Sequence, residues 1–470
     1  MAPPSSSSLP NYYAAPRGFP QAIVVMVPWQ RMTLIASIVA LAIAAFFSGY
    51  YLLLVINSVL TTLYLVTTLY RVLLIDLSLR QSRELIIEPE ALLAPPADAA
   101  DWPRYVIILP LYHEATVLPT LVEALRRFDY PPQCLDIRLL IESDDSETLA
   151  MAQSMNLQPP FHIEHIPVSY PRTKPKACNV ALFSVSGDYL VIYDAEDRPE
   201  PDQLKKAAVA FSRVPANVAC IQAKLNFYNP RRNFLTRCFT SEYAMWFDLC
   251  LPGLDYLRAP IPLGGTSNHF RLDVLKSLGG WDEYNVTEDC DLGLRLFSRG
   301  WRTRILDSTT WEQACPSLSN WIRQRSRWVK GYVQTWLVHM RSPLQLWKDI
   351  GTVNWLHMQL LVGSAALCQF INPFYWALAL LWIVLRPAGV NVFFPHIIFA
   401  MAATCLFVGN FIFVYCAAVA CVRRGFGSLA KYTLGIPVYW VLMSIATWKG
   451  VLQLINKPHH WEKTQHFADD

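Results

Sequence analysis

Three stretches of the chain, 32–70, 351–385 and 387–422, carry no Asp, Glu, Lys or Arg, and each exceeds the roughly 20 apolar residues that cross a bilayer. They predict membrane helices. The first stretch would be about 58 Å long as a single helix, nearly twice the hydrocarbon thickness, so a two-helix transmembrane hairpin is expected over 31–75. Arg31 before it and Arg71, Arg80 and Arg83 after it place basic residues at both ends, as in a hairpin whose ends face the cytosol. Further crossings are expected near 366–386 and 394–421, within a block of transmembrane and interfacial helices over 351–456. In "YTLGIPVYWVLMSIATWKGVLQLI", Lys449 interrupts a run rich in Trp and Tyr, which predicts a helix lying partly in the cytoplasmic leaflet. Four crossings are favoured over five or six.

Between the membrane blocks the pattern changes period. Short apolar runs alternate with amphipathic segments: "YVIILPL" then "TLVEALRRF"; "LDIRLLIES" then "SETLAMAQSM"; "FHIEHIPV" then "KACNVALFSV"; "DYLVIYD" then "PDQLKKAAVAFSRV"; then "VACIQAKL". Near-continuous apolar strands, each followed by a helix, predict an α/β domain with a doubly wound, mainly parallel sheet over 76–315, inserted between the transmembrane helices. Amphipathic interfacial helices are expected over 316–350 and a cytosolic tail over 457–470. The Pro/Ser-rich residues 1–30 read as a disordered tail rather than a cleavable signal peptide.

Composition sharpens this picture. With 53% hydrophobic and 16% charged residues the chain is too apolar for an average soluble protein. A net charge of +4 without a basic stripe argues against nucleic acid as a partner. Eleven scattered cysteines with no CxxC pair read as buried reduced thiols, not as zinc or redox sites.

Doubly wound sheets bind ligands beyond the carboxyl ends of their strands, and polar residues collect there: Tyr112, His113 and Glu114; Ser143, Asp144 and Asp145; Asp194, Glu196 and Asp197. Clustered carboxylates repel one another unless a cation neutralises them, and oxygen donors without His or Cys favour Mg2+ or Mn2+, which commonly hold phosphate as well. A solvated acidic turn closed by Pro199 is the plainer alternative. In "NVTEDCDLGLRLFSRGW", Thr287 can cap a helix with Glu288, Asp289 and Asp291 in its first turn, where the dipole favours ionised carboxylates, as a general base requires. In "SNWIRQRSRWVKGYVQTW", Gln324, Arg327 and Trp328 share one face at i, i+3 and i+4, while Arg323, Arg325 and Lys330 are expected to serve lipid headgroups.

These segments, in this order, resemble the membrane-embedded family-2 glycosyltransferases, the processive β-glycan synthase type that includes cellulose, curdlan, mixed-linkage glucan and hyaluronan synthases. The matching motifs are "DD" at 144–145, "KPKACN" at 174–179, "DAED" at 194–197 in the place of the DxD motif, "GGTSNHFR" at 264–271, "TED" at 287–289 and "QRSRW" at 324–328 as QxxRW. The resemblance covers roughly 105–335 and implies a GT-A-like fold with the following roles. Asp145, with Asp144, contacts uridine; Asp194 and Glu196 hold the ribose and the metal on the diphosphate; Asp289 deprotonates the acceptor. Gln324 and Arg327 stabilise the departing diphosphate, and Trp328 stacks on the acceptor sugar. Tyr112, Glu114, Lys176 and Glu288 complete the substrate-binding set. The second DxD position is Glu196, followed at once by Asp197, and which of the two ligates the metal is open; "KACN" replaces the commoner "KAGN". The tail "KPHHWEKTQH" resembles a segment that approaches the nucleotide, with its histidines as loop residues, and no cyclic-dinucleotide-binding extension is expected.

The implied activity is inverting transfer of a hexose, glucose foremost, from a UDP-sugar to a growing β-glycan that crosses the membrane helices. The expected location is the plasma (inner) membrane with the catalytic domain in the cytosol. A glycolipid-forming enzyme that adds one sugar to a membrane lipid, and a catalytically silent receptor or scaffold, are the rival readings.

Overall fold

The computed structural model describes residues 18–97, 99–385 and 393–460. Eight strands form one sheet in the order β3-β2-β1-β4-β7-β6-β8-β5. They are β1 (Tyr105–Leu111), β2 (Leu135–Glu142), β3 (Phe161–Ile166), β4 (Tyr189–Ile192), β5 (Arg198–Pro199), β6 (Val218–Phe227), β7 (Asn268–Arg271) and β8 (Arg302–Glu312). β1 pairs in parallel with β2 and β4, β2 with β3, and β6 with β8. β7 runs antiparallel between β4 and β6, and the short β5 runs antiparallel to β8. The sheet is therefore mixed but mainly parallel.

Helices cover both faces, and the pleat shows why the strands are apolar throughout. Along β1, Val106 and Ile108 enter one core with Ala181 and Leu182 of α4 (Lys174–Ser184), whereas Tyr105, Ile107 and Leu109 enter the other with residues of α2 (Leu118–Arg126) and α5 (Gln203–Arg213). α3 (Ser146–Ser154) follows β2. After β6 come α6 (Phe234–Met245), a π-helical turn, and α7 (Leu251–Leu257); α8 (Leu272–Ser277) and α9 (Glu288–Ser298) follow β7. The remaining helices are α10 (Leu318–His339), α11 (Pro343–Met358), α12 (Ser364–Leu385), α13 (His396–Ala403), α14 (Asn410–Arg423) and α15 (Ile436–Asn456).

Among the described residues, four helical stretches are long and apolar enough to cross a membrane: Pro28–Gln81, Pro343–Leu385, His396–Arg423 and Gly427–Asn456. The first, α1 (Pro28–Gln81), is broken at Ser48, where the backbone is extended (φ −161°, ψ 77°). Its first turn returns to the sheet domain through Gln30, whose Nε2 donates to the Leu337 carbonyl at 2.9 Å, and its far end packs on α7. A straight helix of that length would span about 80 Å, so the chain reverses near the break. α7 approaches α1 closely because Gly253 faces the Leu74 backbone, where a side chain would overlap it.

Two expectations are revised. Disorder through residue 30 does not hold for its described part: the Ala22 amide donates to Asp282 Oδ2 at 2.5 Å, and the Phe19 ring lies 3.8 Å from the Arg295 guanidinium. α15 meets the length and apolarity of a crossing, yet it runs along α10, with Gly450 against the Ser326 backbone, and also stacks Trp448 on Phe370 of α12.

Candidate active site

The carboxyl ends of β1, β4 and β8, the first turn of α9 and one face of α10 enclose a cavity of about 500 Å³. Tyr112, Glu114, Asp194, Glu196, Glu288, Asp289, Gln324, Arg327 and Trp328 all line it. Asp144, Asp145, Lys176 and Asp197 do not.

At the β1–β2 end, Asp145 is an internal brace. Its carboxylate caps α3 by accepting the Thr148 amide (3.2 Å) and also accepts the His113 amide (2.5 Å), holding the turn in which His113 adopts φ 54°. Burial pushes its pKa up, but the Thr148 hydroxyl and these amide bonds outweigh that and hold it below the usual carboxylate range. Asp144 instead reaches outward to Arg172 (2.7 Å), and Arg172 borders the cavity.

The two lysines of "KPKACN" divide in a way opposite to expectation. Lys176 is fully buried under the sheet rim, paired with Glu142 at 2.8 Å and donating to the Pro167 carbonyl at 3.0 Å. Lys174 is the one in the cavity: it pairs with the Asp194 carboxylate and donates to the Gly265 carbonyl at 2.7 Å. Burial opposes its charge, but Asp194 and Glu288 raise its pKa above the ordinary value, so it is a fixed cation. Two residues along a helix point about 200° apart, which separates the two roles.

The acidic loop after β4 also sorts its members. Asp197 is 1% exposed. Its Oδ2 accepts the Asp194 amide at 2.7 Å and the Thr266 hydroxyl, so it anchors the loop from beneath; its Oδ1 is buried with no hydrogen-bond partner among the described residues. Burial, then the charges of Asp194 and Glu196, push its pKa well up. The structure thus places Glu196, not Asp197, beside Asp194 on the cavity wall. Among the described residues no three His, Cys, Asp or Glu side chains gather into a metal-holding group. Asp194 and Glu196 supply hard oxygen donors of the type Mg2+ and Mn2+ take, with room in the cavity for the further oxygens such ions need.

Glu288 and Asp289 open α9 on the opposite wall. Thr287 occupies the capping position but does not cap; its hydroxyl lies within reach of Asn285 Oδ1 (3.4 Å) and Thr335 (3.3 Å). Burial overrides the dipole in this turn. Glu288 is pushed to about 8 by burial and then by the Asp289 charge, with Lys174 and Arg327 pulling against it. Asp289 is raised by burial as well, against the Cys290 amide (2.7 Å) and the same two cations. Asp291 turns away to Arg295 (2.7 Å) and His339 (3.0 Å), joining α9 to the end of α10.

α10 comes this close because Gly331 packs on Thr287, where any side chain would overlap. Gln324, Arg327 and Trp328 face the cavity together, as their spacing predicts, and Gln324 Oε1 is buried without a partner among the described residues. Arg325 and Lys330 do not face lipid. Arg325 pairs with Glu242, is buried, and lies 4.6 Å from the Trp328 ring centre, backing that side chain. Lys330 donates to the carbonyls of Lys457 (3.3 Å) and His460 (2.7 Å) and so fastens the start of the tail, whose His459 lies 3.2 Å from the Tyr284 carbonyl. Residues 461–466 of that motif lie outside the described residues.

Sequence reasoning missed Lys174, Arg172, Glu312 and Arg71. Glu312 ends β8, parallel to β6, so the strand-end rule that found Asp194 had the signal for it too.

Residues 189–418 match the profile of the family described as Glycosyl transferase family group 2. Curated relatives include the probable glycosyltransferase YdaM of Bacillus subtilis, 24% identical over 49% of this chain and 55% of that protein. The beta-monoglucosyldiacylglycerol synthase of Synechocystis is 25% identical over 62% of each chain. The cellulose synthase catalytic subunit of Komagataeibacter sucrofermentans is 28% identical over 60% of this chain and 37% of that one. The chain thus spans less than two thirds of the length of these relatives. Among solved structures, the mannosyltransferase PcManGT of Pyrobaculum calidifontis, in complex with GDP-Man and Mn2+, superposes with a TM-score of 0.52 at 18% identity, covering 86% of this chain and 99% of that one. The sheet domain has a GT-A-like glycosyltransferase fold.

Proposed function

We propose that this protein is a multi-pass enzyme of the plasma (inner) membrane that transfers glucose from UDP-glucose, with inversion, to a growing β-glycan, from a sheet domain in the cytosol. One observation carries the reading: the cavity that holds Asp194, Lys174, Asp289 and Arg327 continues between α1, α12, α14 and α15, where Leu74, Ala366, Phe413 and Met443 form its wall. A donor entering from the sheet side and an acceptor entering from the membrane side meet at α9.

The chemistry follows from the wall residues. Asp289 removes the proton of the acceptor hydroxyl; its raised pKa makes it a stronger base than an exposed aspartate, and Glu288, protonated at neutral pH, leaves that charge local. The hydroxyl oxygen bonds to C1 of the sugar as the C1–phosphate bond breaks, and the electron pair leaves with UDP. An α-linked donor therefore yields a β-linked product. Arg327 and Lys174 are fixed cations at the side where negative charge develops. Asp194 and Glu196 would hold Mg2+ or Mn2+, which supplies further positive charge for the diphosphate when bound.

The apolar membrane wall also favours a second reading, in which the acceptor is a membrane lipid that receives a single sugar. Purified enzyme in bilayers with radiolabelled UDP-glucose decides between them. Label in polymer that organic solvent cannot extract supports glycan synthesis; label confined to extractable lipid replaces it with the second reading. Absence of UDP release from every common sugar nucleotide would instead leave a silent scaffold.

A further inference from the structure

Arg71 looks from the sequence like an ordinary basic flank of a membrane helix. In the structure its side chain borders the membrane arm of the active-site cavity. Among the described residues no hydrogen bond, ion pair or ring contact holds it. The ionisable groups that feel its charge include Tyr64, Cys250, Tyr332 and Cys368, thiols and phenols that are neutral at physiological pH. A cation facing an apolar wall with no carboxylate paired to it is costly, and such a residue in a membrane segment marks a ligand.

Its position says which ligand. Arg71 lines the cavity together with Leu74 one turn on along α1 and with Leu361, Ala366 and Phe413 of its membrane wall, and Tyr332 is near enough to both Arg71 and Asp289 to feel each charge. The donor diphosphate already has Lys174 and Arg327. Arg71 is about 14 Å along α1 from Arg80, and Leu69 and Leu73 on the outer face of the helix are exposed, as lipid-facing residues are. Past it the wall is Leu361, Ala366, Phe413 and Met443, suited to hydrocarbon.

We infer that Arg71 binds the phosphate of an amphiphilic acceptor, a phosphate-bearing lipid whose chain lies between α12, α14 and α15 and whose hydroxyl or attached sugar reaches Asp289. The inference deepens the second reading of the proposed function, a membrane-lipid acceptor, and rests on the acceptor entering from the membrane side. A neutral glycan alone gives Arg71 nothing to pair with.

The test uses the full-length protein in phosphatidylcholine nanodiscs doped with dioleoyl phosphatidic acid, dioleoylglycerol or neither, with inorganic phosphate as a separate arm. Wild type should bind phosphatidic acid over dioleoylglycerol, and Arg71→Gln should weaken that binding roughly tenfold or more, the effect of losing a charge-assisted hydrogen bond. Arg71→Lys should restore part of it. UDP affinity, measured in the same samples, should be equal in all three proteins. Equal phosphatidic acid binding by wild type and Arg71→Gln would overturn the inference, as would a parallel loss of UDP affinity, which would assign Arg71 to the donor. Saturation by inorganic phosphate at the same concentration as phosphatidic acid would remove the lipid from it. UDP release in discs of native membrane lipid, which supply whatever acceptor the enzyme uses, reports on the proposed function separately: its absence with every sugar nucleotide would sink that reading and leave the phosphatidic acid result standing.

Discussion

Two acidic clusters face each other across the cavity, and they are built on opposite principles. In the loop after β4, Asp194 has a cation in direct contact, Lys174, and its backbone is held from below by Asp197. In the first turn of α9, Glu288 and Asp289 feel Lys174 and Arg327 only at a distance, and burial dominates both. The loop is therefore a compensated negative site, able to accept a divalent ion and its diphosphate without large change. The helix turn is the less compensated one, and there Glu288 keeps its proton near neutral pH. Identical functional groups acquire different chemistry from their surroundings.

Five substitutions break or sharpen that contrast. The largest effect belongs to the helix side: Asp289→Asn should lower sugar transfer by roughly a thousandfold, the range of a lost general base, while UDP affinity measured by calorimetry stays within about twofold. A matching loss of UDP affinity would move Asp289 to the donor site. On the loop side, Lys174→Met should weaken donor binding by about 10- to 100-fold, since it leaves Asp194 without its cation. An unchanged Kd would show that the pair is not what orders the donor end.

Next in size is a split within the loop. Glu196→Ala should raise the Mn2+ concentration for half-maximal activity by roughly tenfold with little change in Tm. Asp197→Ala should instead lower Tm by about 4 °C, because it removes the buried acceptor that ties Asp194 to Thr266. Reversed results would exchange the two residues' roles.

The smallest effect is in pH. Glu288 is raised from its ordinary 4.5 to about 8 in the folded protein. Between those values the folded state holds a proton that the unfolded state has lost, so its contribution to stability is full below the lower value and declines as pH rises through the window. Metal-free, nucleotide-free wild type should therefore lose Tm from about pH 5 to pH 8, and Glu288→Gln should flatten that slope. Parallel curves for the two proteins would remove the protonated Glu288 from the mechanism.

Much of this was legible in the chain. "YVIILPL" coincides with β1, because a strand covered on both faces must be apolar throughout, and "KACNVALFSV" overlaps α4, which begins two residues earlier at Lys174. Gln324, Arg327 and Trp328 share a wall because helical spacing alone puts them on one face. What escaped was direction across an interface. Arg325 sits on the same helix, with the same charge as Arg327 and a sequence context of a membrane-surface residue, yet Glu242, brought from α6, turns it inward.

The sequence by itself determined the alternation that makes a doubly wound sheet, the uncharged runs that make membrane helices, and the strand ends where acids collect, since each depends on local periodicity and on the solvation of nearby residues. Only the tertiary structure decided which acid of a pair faces the cavity, which lysine meets it, and whether a carboxylate keeps its proton. Those outcomes depend on burial and on partners distant in the chain: Thr266 beneath Asp197, Gly265 beside Lys174, and α10 closing over Asp289.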